Sequence, residues 1–319
     1  MSWSPRQRRK NAAIFGAASV GIRLGLALPR TWLEPTGAWL GLAAYALLGR
    51  ARRATIDNLG LVHPELDETA RRTLARATFR ALGRNLTDTL ALLDPQEDPA
   101  RSLSVSAASE QVLAEALAGG RGVIYATCHL GPWERMAALL AQRGFPISTV
   151  ARESYDPRFH ALVYERLRAH RNVQAIYRGQ PSAPIAMVRA LRRGRVLGLL
   201  LDMPGRIATQ GVNWLGLPSR MPVGAARLAL RLRSPIVVGT PAPKSAGLEI
   251  RIAKLRTEDL VPGDRGEAEL SQRIADALSE RIRLLPTHWP WMHPTWRFSG
   301  RRGTLAWDAE LLQNERRRI

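Results

Sequence analysis

Residues 123–144, VIYATCHLGPWERMAALLAQRG, decide the fold. The run that begins at Val123 is short and continuously apolar, which predicts a buried strand. Gly131 then supplies a turn, and the proline after it suits the first position of a helix that continues through WERMAALLAQ. The stretch therefore predicts a strand, a turn and a helix, with His129 at the carboxyl end of the strand and Glu134 in the first helical turn.

The same alternation of strands and helices continues along the chain. Short apolar segments predict four buried strands: RGVIYAT (121–127), GRVLGLLLD (194–202), PIVVGTPAP (235–243) and LEIRIAKL (248–255). Helical segments lie between and after them, at about 136–143, 159–170, 183–193, 224–232 and 267–284. We therefore predict an α/β fold with a mixed, mostly parallel sheet flanked by helices.

The first 53 residues combine a basic start with apolar helical segments. Arg23, Arg30 and Glu34 interrupt the apolar sequence, so no uncharged run reaches the roughly 20 residues that cross a bilayer. We predict two membrane-associated helices, at about 11–28 and 37–48, that lie in the membrane interface with tryptophans and arginines at the head groups. The alternative is that these are buried helices of a soluble domain.

An amphipathic helix follows this N-terminal segment. Asp67 is a start signal. Apolar residues recur at helical spacing and predict its buried face: Ala75, Phe79, Leu82, Leu86, Leu90 and Leu93. We divide the chain into the N-terminal segment (1–53), a main domain (54–298) and a C-terminal tail (299–319), which we expect to form a peripheral helix.

Composition and charge restrict the function further. The chain has 319 residues, 45% of them hydrophobic, and a formal net charge of +20 that comes almost entirely from arginine. Arginine binds phosphate in a bidentate manner, so we expect a polyanionic partner: a membrane face, a phosphorylated lipid, nucleic acid or an acidic carrier protein. Cys128 is the single cysteine, which excludes an intramolecular disulfide and a cysteine-cluster metal site. No EF-hand, Walker or zinc-finger spacing is present, and no metal is expected.

The candidate chemistry lies where the first strand ends. Cys128 and His129 are adjacent, so on an extended backbone they point to opposite faces, and we interpret Cys128 as a small buried hydrophobe. Glu134 can accept a hydrogen bond from one imidazole nitrogen of His129, which leaves the other as a general base. The motif contains no serine, which favours direct attack by a substrate hydroxyl over a covalent acyl-enzyme. Open α/β sheets bind ligands at this edge.

The string HLGPWE (129–134) and five further segments resemble, in order, the motifs of one family. The five are RRATIDNLGLVHPEL (52–66), VARESYDPRFHALVYERLR (150–168), RRGRVLGLLLDMPG (192–205), GVNWLGLPSRMPVGAARLALRLRSPIVV (211–238) and PTHWPWMHPTWR (286–297). This family is the bacterial late lipid A acyltransferases, the lauroyl and myristoyl transferases, with their relatives that acylate phosphatidylinositol mannosides. Its H-x4-[DE] motif is matched here, with Pro132 where asparagine is common.

The resemblance implies a fold, a reaction and roles for five residues. The fold is that of the lysophospholipid acyltransferase-like superfamily, similar to glycerolipid acyltransferases, with residues 54–298 as the acyltransferase domain. The reaction moves a fatty acyl chain from a thioester to a hydroxyl of a lipid A precursor or a similar phosphorylated glycolipid. The resemblance makes His129 the catalytic base and Glu134 its partner. It places Arg152, Arg166 and Asp202 among the substrate-binding positions, and we expect Asp202 to orient an arginine.

The resemblance also implies partners and a location. The donor is acyl-carrier protein or acyl-CoA with no other cofactor, and the enzyme works on anionic lipid at the cytoplasmic face of the inner membrane. Two alternatives stay open: acylation of another polar lipid, either a lysophospholipid or a phosphatidylinositol mannoside, and a non-enzymatic basic protein that binds membrane or nucleic acid. No nucleic-acid-binding module is recognisable, so no nucleic acid is expected. His288 and His293 repeat the five-residue spacing, and we favour a packing segment over a second site.

Overall fold

The computed structural model describes residues 4–152, 156–160, 166–203, 207–293 and 295–296. Its helices are α1 (Pro5–Ala27), α2 (Arg30–Leu47), α3 (Gly49–Val62), α4 (Glu68–Ala91), α5 (Ala107–Ala118), α6 (Trp133–Gln142), α7 (Pro157–Phe159), α8 (Arg166–His170), α9 (Ala183–Arg192), α10 (Gly224–Leu232) and α11 (Asp264–Leu284). Its strands are β1 (Leu103–Val105), β2 (Val123–Thr127), β3 (Ile147–Arg152), β4 (Gln174–Arg178), β5 (Val196–Leu200), β6 (Thr209–Trp214), β7 (Leu217–Pro222), β8 (Ile236–Pro243) and β9 (Leu248–Lys254). The predicted C-terminal helix (299–319) lies outside the described residues.

Seven strands form one sheet in the order β1-β9-β8-β2-β5-β3-β4, and β6 and β7 form a separate antiparallel hairpin. From β8 to β4 every neighbouring pair is parallel, whereas β9 runs antiparallel to β8. The predicted mixed, mostly parallel sheet is therefore confirmed. The four predicted strands correspond to β2, β5, β8 and β9.

The sheet lies between two helical layers, and β2 shows why. All five of its residues are buried. Ile124 and Ala126 pack in a cluster with α9, α10 and α11, while Val123 and Tyr125 pack in a second cluster with α5 and α6. Because successive side chains of a strand point to opposite faces, a continuously apolar strand needs cover on both sides.

The N-terminal helices are longer than predicted, and α2 packs directly on α4. A Cβ added at Gly83 would overlap the carbonyl oxygen of Gly37, and one at Gly41 would overlap that of Phe79. The two backbones therefore approach closely through glycine. Helix α3 runs across residue 53. Among the described helices, none is long and apolar enough to cross a membrane.

Helix α4 begins at its predicted signal and buries most of its predicted face. The Asp67 carboxylate accepts a hydrogen bond from the Ala70 N–H at 2.7 Å, as expected of an N-cap. The prediction was wrong for Leu86, which is 53% exposed. Gly83 and Thr87 are buried in its place, because the close contact with α2 requires small side chains.

The outer side of α1 and α2 exposes large apolar side chains. We call this the outer apolar surface, and its residues, from 51% to 82% exposed, are Ile14, Val20, Leu24, Trp32, Trp39, Leu40, Leu47 and Leu48. Basic side chains lie at both ends of it, including those of Arg8, Arg9 and Arg50. Exposure of this many large apolar side chains is typical of helices that meet a membrane or another protein.

Candidate active site

Two candidate site residues, His129 and Asp202, meet at the carboxyl edge of the sheet. Strands β2 and β5 are parallel neighbours whose last residues, Thr127 and Leu200, are register partners. His129 and Asp202 each lie two residues beyond the end of their strand. The topology therefore brings together an imidazole and a carboxylate that are 73 residues apart in sequence.

Asp202 is the carboxylate that fixes His129. Its Oδ1 lies 2.8 Å from His129 Nδ1, and its Oδ2 accepts from the His129 backbone N–H at 3.0 Å. Oδ2 also accepts from Trp289 Nε1 at 2.9 Å. Because an ionised carboxylate only accepts, Nδ1 of the neutral imidazole must carry the proton. The Nε2 lone pair is then left to accept a proton, and Nε2 has no hydrogen-bond partner among the described residues.

Burial and charge act in opposite directions on the pKa values of this pair. Burial tends to raise the pKa of Asp202, but the His129 charge and the three hydrogen bonds outweigh it and lower that pKa to about 2. Burial tends to lower the pKa of His129, yet the charge and hydrogen bond of Asp202 raise it above its ordinary value. The charge of Glu134 also raises the pKa of His129, and the charge of Arg178 lowers it. His129 is thus a strengthened base.

Glu134 does not bind the imidazole. Its Oε1 lies 3.4 Å from a terminal nitrogen of Arg168, and no hydrogen bond joins it to His129. The prediction that Glu134 fixes the tautomer was therefore wrong, and so was the prediction that Asp202 orients an arginine. The physical reason is that the end of β5 lies directly beside the end of β2, while Glu134 has already turned into α6.

Cys128 is the buried residue that the sequence predicts. Its side chain is fully buried in the core cluster that also contains Ile124. Burial raises the pKa of the thiol well above its ordinary value, with the charge of Asp202 adding to the effect. A thiol that is buried and protonated is not a nucleophile.

The structure places one of the two predicted arginines, Arg152, at the carboxyl edge of the sheet. Arg152 is the last residue of β3 and is the register partner of Arg178, the last residue of β4. Arg166 begins α8, and its side chain lies outside what the structure describes. Arg168, two residues later, was not predicted, and it is the arginine that pairs with Glu134.

Residues 286–293, in the C-terminal part of the chain, pack beside the candidate site. Asn58 Nδ2 in α3 donates to the backbone oxygens of Trp291, at 2.6 Å, and of His293, at 2.9 Å. The Gly131 N–H donates to the His288 oxygen at 3.0 Å, and Gly131 has a φ of +61°, which favours glycine. The sequence predicts a packing segment here, but it does not predict that the segment lies beside His129.

Two residues of this segment contribute directly to the surroundings of His129. The indole N–H of Trp289 reaches Asp202, and the ring of His293 lies 5.8 Å from that of His129. His293 is largely buried, and burial lowers its pKa. The run HWPWMH was the sequence signal, since aromatic residues with polar edges pack well at a site that is partly apolar.

A buried ion cluster holds the start of α6 in place. Arg135, next to Glu134, has an almost fully buried side chain. Its guanidinium donates to Asp88 in α4 at 2.8 Å and to the buried Glu97 at 3.1 Å. Arg30 of α2 also pairs with Glu97, at 3.4 Å. The N-terminal helices are therefore joined through charge to the helix that carries Glu134.

The arrangement fits base catalysis without a covalent intermediate. A strengthened imidazole, 22% exposed, has its Nδ1 held by a buried carboxylate. The neighbouring thiol is buried and protonated, so it cannot accept an acyl group. What this geometry can do is remove a proton from a hydroxyl group that approaches Nε2.

The chain matches one protein-family model and several individual proteins. A family model described as bacterial lipid A biosynthesis acyltransferase matches residues 3–298. The chain is 27% identical over 187 residues to a phosphatidylinositol mannoside acyltransferase of Mycobacterium tuberculosis (strain CDC 1551 / Oshkosh). It is 25% identical over 182 residues to a protein of the same name from Mycolicibacterium smegmatis (strain ATCC 700084 / mc(2)155). Each match covers 57% of this chain and only 56% and 59%, respectively, of the relative's own length.

Proposed function

Because the chain belongs to the bacterial lipid A biosynthesis acyltransferase family, we propose that it moves a fatty acyl chain from a thioester to a hydroxyl of a phosphorylated glycolipid. Membership makes the chain an O-acyltransferase. The observation on which the proposed mechanism rests is the hydrogen bond between His129 Nδ1 and Asp202, which leaves Nε2 as the base.

The proposed step needs no covalent enzyme intermediate. His129 Nε2 takes the proton of the acceptor hydroxyl while the oxygen of that hydroxyl bonds to the carbonyl carbon of the thioester. The tetrahedral oxyanion then collapses, the C–S bond breaks, and the departing thiolate takes the proton from the imidazolium. The products are an ester and a free thiol. Asp202 stabilises the imidazolium throughout, because its charge and hydrogen bonds favour the protonated ring.

Glu134 acts without touching the imidazole in this mechanism. Its charge raises the pKa of His129, and its carboxylate holds Arg168. Arg152 and Arg166 keep the substrate-binding roles that the family resemblance implies. A guanidinium at this edge suits either the phosphate of a substrate or the developing oxyanion.

Two acceptors are candidates, each favoured by a different observation. The family description favours a lipid A precursor, and the names of the similar mycobacterial proteins favour a phosphatidylinositol mannoside. The deciding experiment supplies the purified enzyme with one thioester donor and either of these acceptors or a lysophospholipid, and measures products by mass spectrometry. We expect one acceptor to gain the mass of one acyl chain.

Two variants control that experiment. His129→Ala should abolish transfer, and Cys128→Ala should keep most of it, since the thiol is a packing group. Transfer by His129→Ala, or to none of the three acceptors, would overturn the proposal.

For the donor we propose acyl-carrier protein. A chain with a net charge of +20 attracts an acidic carrier over about one Debye length, roughly 10 Å at 0.1 M salt. Initial rates with subsaturating acyl-carrier protein should therefore fall more steeply with salt than rates with acyl-CoA of the same chain length. Equal slopes would contradict the proposal.

For the location we propose the cytoplasmic face of the inner membrane, with the outer apolar surface lying in the interface. Tryptophans and leucines of this surface would enter the head-group region, and the flanking arginines would meet anionic lipid. The test is flotation with anionic vesicles. Trp39→Ala combined with Leu47→Ala should reduce binding, while Val261→Ala, a 73% exposed residue on another segment, should not. Equal loss in both variants would refute this assignment.

A further inference from the structure

Arg178 is a cation at the sheet edge to which the mechanism gives no role. It is the last residue of β4, the outermost strand at this end of the sheet. Among the residues that the structure describes, none forms a hydrogen bond or an ion pair with its guanidinium. Most other arginines near the site have a fixed partner, such as Glu134 for Arg168 and Asp88 for Arg135.

Arg178 is directed to the same side of the sheet as the catalytic pair. Arg152 and Arg178 are register partners on parallel strands. Val150 and Ile176 lie two residues before them on the same strands and are also register partners. Both pack in the core cluster that contains Trp289. Since side chains alternate along a strand, both arginines leave the sheet on the side where Trp289 lies.

The charge of Arg178 affects the pKa of His129, the proposed base. It lowers the pKa of His129, opposing the effect of Asp202 and Glu134. In strand order, β2, β5, β3 and β4 bring His129, Asp202, Arg152 and Arg178 to one edge. Three steps between neighbouring strands separate the first from the last, about 14 Å at the backbone. A long arginine side chain shortens that distance.

We propose that Arg178 and its neighbour Arg152 together bind a phosphate group of the acceptor glycolipid, an inference that rests on the proposed function. Two guanidinium groups on adjacent strand ends can form bidentate hydrogen bonds to one phosphate. The spacing from His129 suits a sugar phosphate whose reacting hydroxyl lies on the ring or on an attached chain. A phosphate on the donor would lie much farther from the thioester, at the other end of the long pantetheine arm.

The experiment compares Arg178→Gln with a matched control, Arg192→Gln. Arg192 is an exposed arginine at the end of α9, outside the site. Each enzyme is assayed with a phosphorylated acceptor and with the same acceptor after phosphatase treatment. We expect Arg178→Gln to raise the KM for the phosphorylated acceptor by about 10-fold to 100-fold, the range for a lost hydrogen bond to a charged group. The KM for the donor should change little. All rates are compared on the alkaline plateau, where His129 is neutral and loss of the Arg178 charge no longer changes its protonation; there, all three enzymes should use the dephosphorylated acceptor equally.

Three outcomes would overturn the inference. They are an unchanged acceptor KM in Arg178→Gln, an equal loss with the dephosphorylated acceptor, and a raised KM for the donor, which would assign Arg178 to the donor phosphate. A second readout requires no acyl transfer: saturation-transfer NMR with glucosamine 1-phosphate and with glucosamine. The wild type and Arg192→Gln should bind glucosamine 1-phosphate but not glucosamine, and Arg178→Gln should bind neither. Phosphate binding without acyl transfer to any lipid would refute the proposed function and leave the phosphate site standing.

Discussion

Replacement of Asp202 by asparagine tests the proposed mechanism most directly, because the structure dictates where the amide must go. In the wild type, Oδ2 accepts from two N–H groups, the His129 backbone and the Trp289 indole, while Oδ1 faces His129 Nδ1. An asparagine can keep both N–H donors only if its oxygen takes the place of Oδ2. Its NH₂ group then faces Nδ1.

That orientation reverses the tautomer of His129. Facing an N–H donor, Nδ1 must become the acceptor, so the ring proton moves to Nε2, and Nε2 can no longer take a proton from the hydroxyl. The opposite orientation would leave two buried N–H groups facing an amide donor. It would cost about 1–3 kcal/mol for each unsatisfied group. The wrong tautomer is therefore the favoured state of the variant.

We expect Asp202→Asn to lower kcat by about 10⁴-fold, the size of the effect when an Asp→Asn change imposes the wrong histidine tautomer in a serine protease triad. The assay is the initial rate of acyl transfer, measured by mass spectrometry at saturating substrates. Circular dichroism and thermal unfolding serve to confirm an intact fold. Glu134→Gln is the matched comparison, since Glu134 affects the imidazole only through its charge.

The ranking of the two variants decides the outcome. If Asp202 fixes the tautomer, Asp202→Asn must be much less active than Glu134→Gln. A folded Asp202→Asn enzyme within 10-fold of the wild type, or one that is more active than Glu134→Gln, would refute the reasoning. In that case Glu134 would be the partner that the sequence alone suggests.

Three further predictions concern the same surroundings. Transfer should rise with pH through a pKa above the ordinary value of histidine, because only neutral His129 accepts a proton; Glu134→Gln removes a charge that raises this pKa, so the acid limb of kcat/KM should move to lower pH. Trp289→Phe deletes one hydrogen bond to the orienting carboxylate, and kcat should fall about 10-fold, whereas Trp291→Phe, whose indole donates to the Pro286 oxygen and not to Asp202, should lower kcat clearly less. Arg135→Met removes the arginine that pairs with Asp88 and one of those that pair with Glu97, which keeps Arg30, so urea unfolding should show a loss of about 1–3 kcal/mol; a loss below about 1 kcal/mol would contradict the assigned role of the buried cluster.

The sequence predicts the centre of the sheet better than its margins, and burial explains the difference. Strands β2, β5 and β8 pair on both sides and are covered by helices, so their sequences are continuously apolar and recognisable. Strand β4 lies at an edge and reads QAIYR, with polar residues at both ends. Strand β3, ISTVAR, contains two hydroxyl residues. Neither segment stands out as a buried strand before the pairing is known.

The close contact between α2 and α4 through glycine could not be predicted from the sequence either. Hydrophobic periodicity assumes that large apolar residues face the core, which would bury Leu86. Here the neighbouring helix is so close that only Gly83 and small side chains fit, and the leucine faces outward. A pattern in one helix cannot reveal the distance to a second helix, since that distance depends on both sequences together.

The contact between His129 and Asp202 could be predicted only in part from the sequence, and the reason lies in the topology of the sheet. A sequence shows local spacing, so the carboxylate five residues after His129 is the natural candidate for its partner. The observed partner lies 73 residues away, and it becomes a neighbour only because β5 is inserted between β2 and β3 in the sheet. Its third hydrogen bond comes from a tryptophan 87 residues further along the chain. A buried carboxylate is stable only when such donors surround it, so the charge of Asp202, the tautomer of His129 and the closure of the C-terminal segment depend on one another. Any change that loosens that segment should therefore weaken the base, even when no residue of the H-x4-E motif is altered.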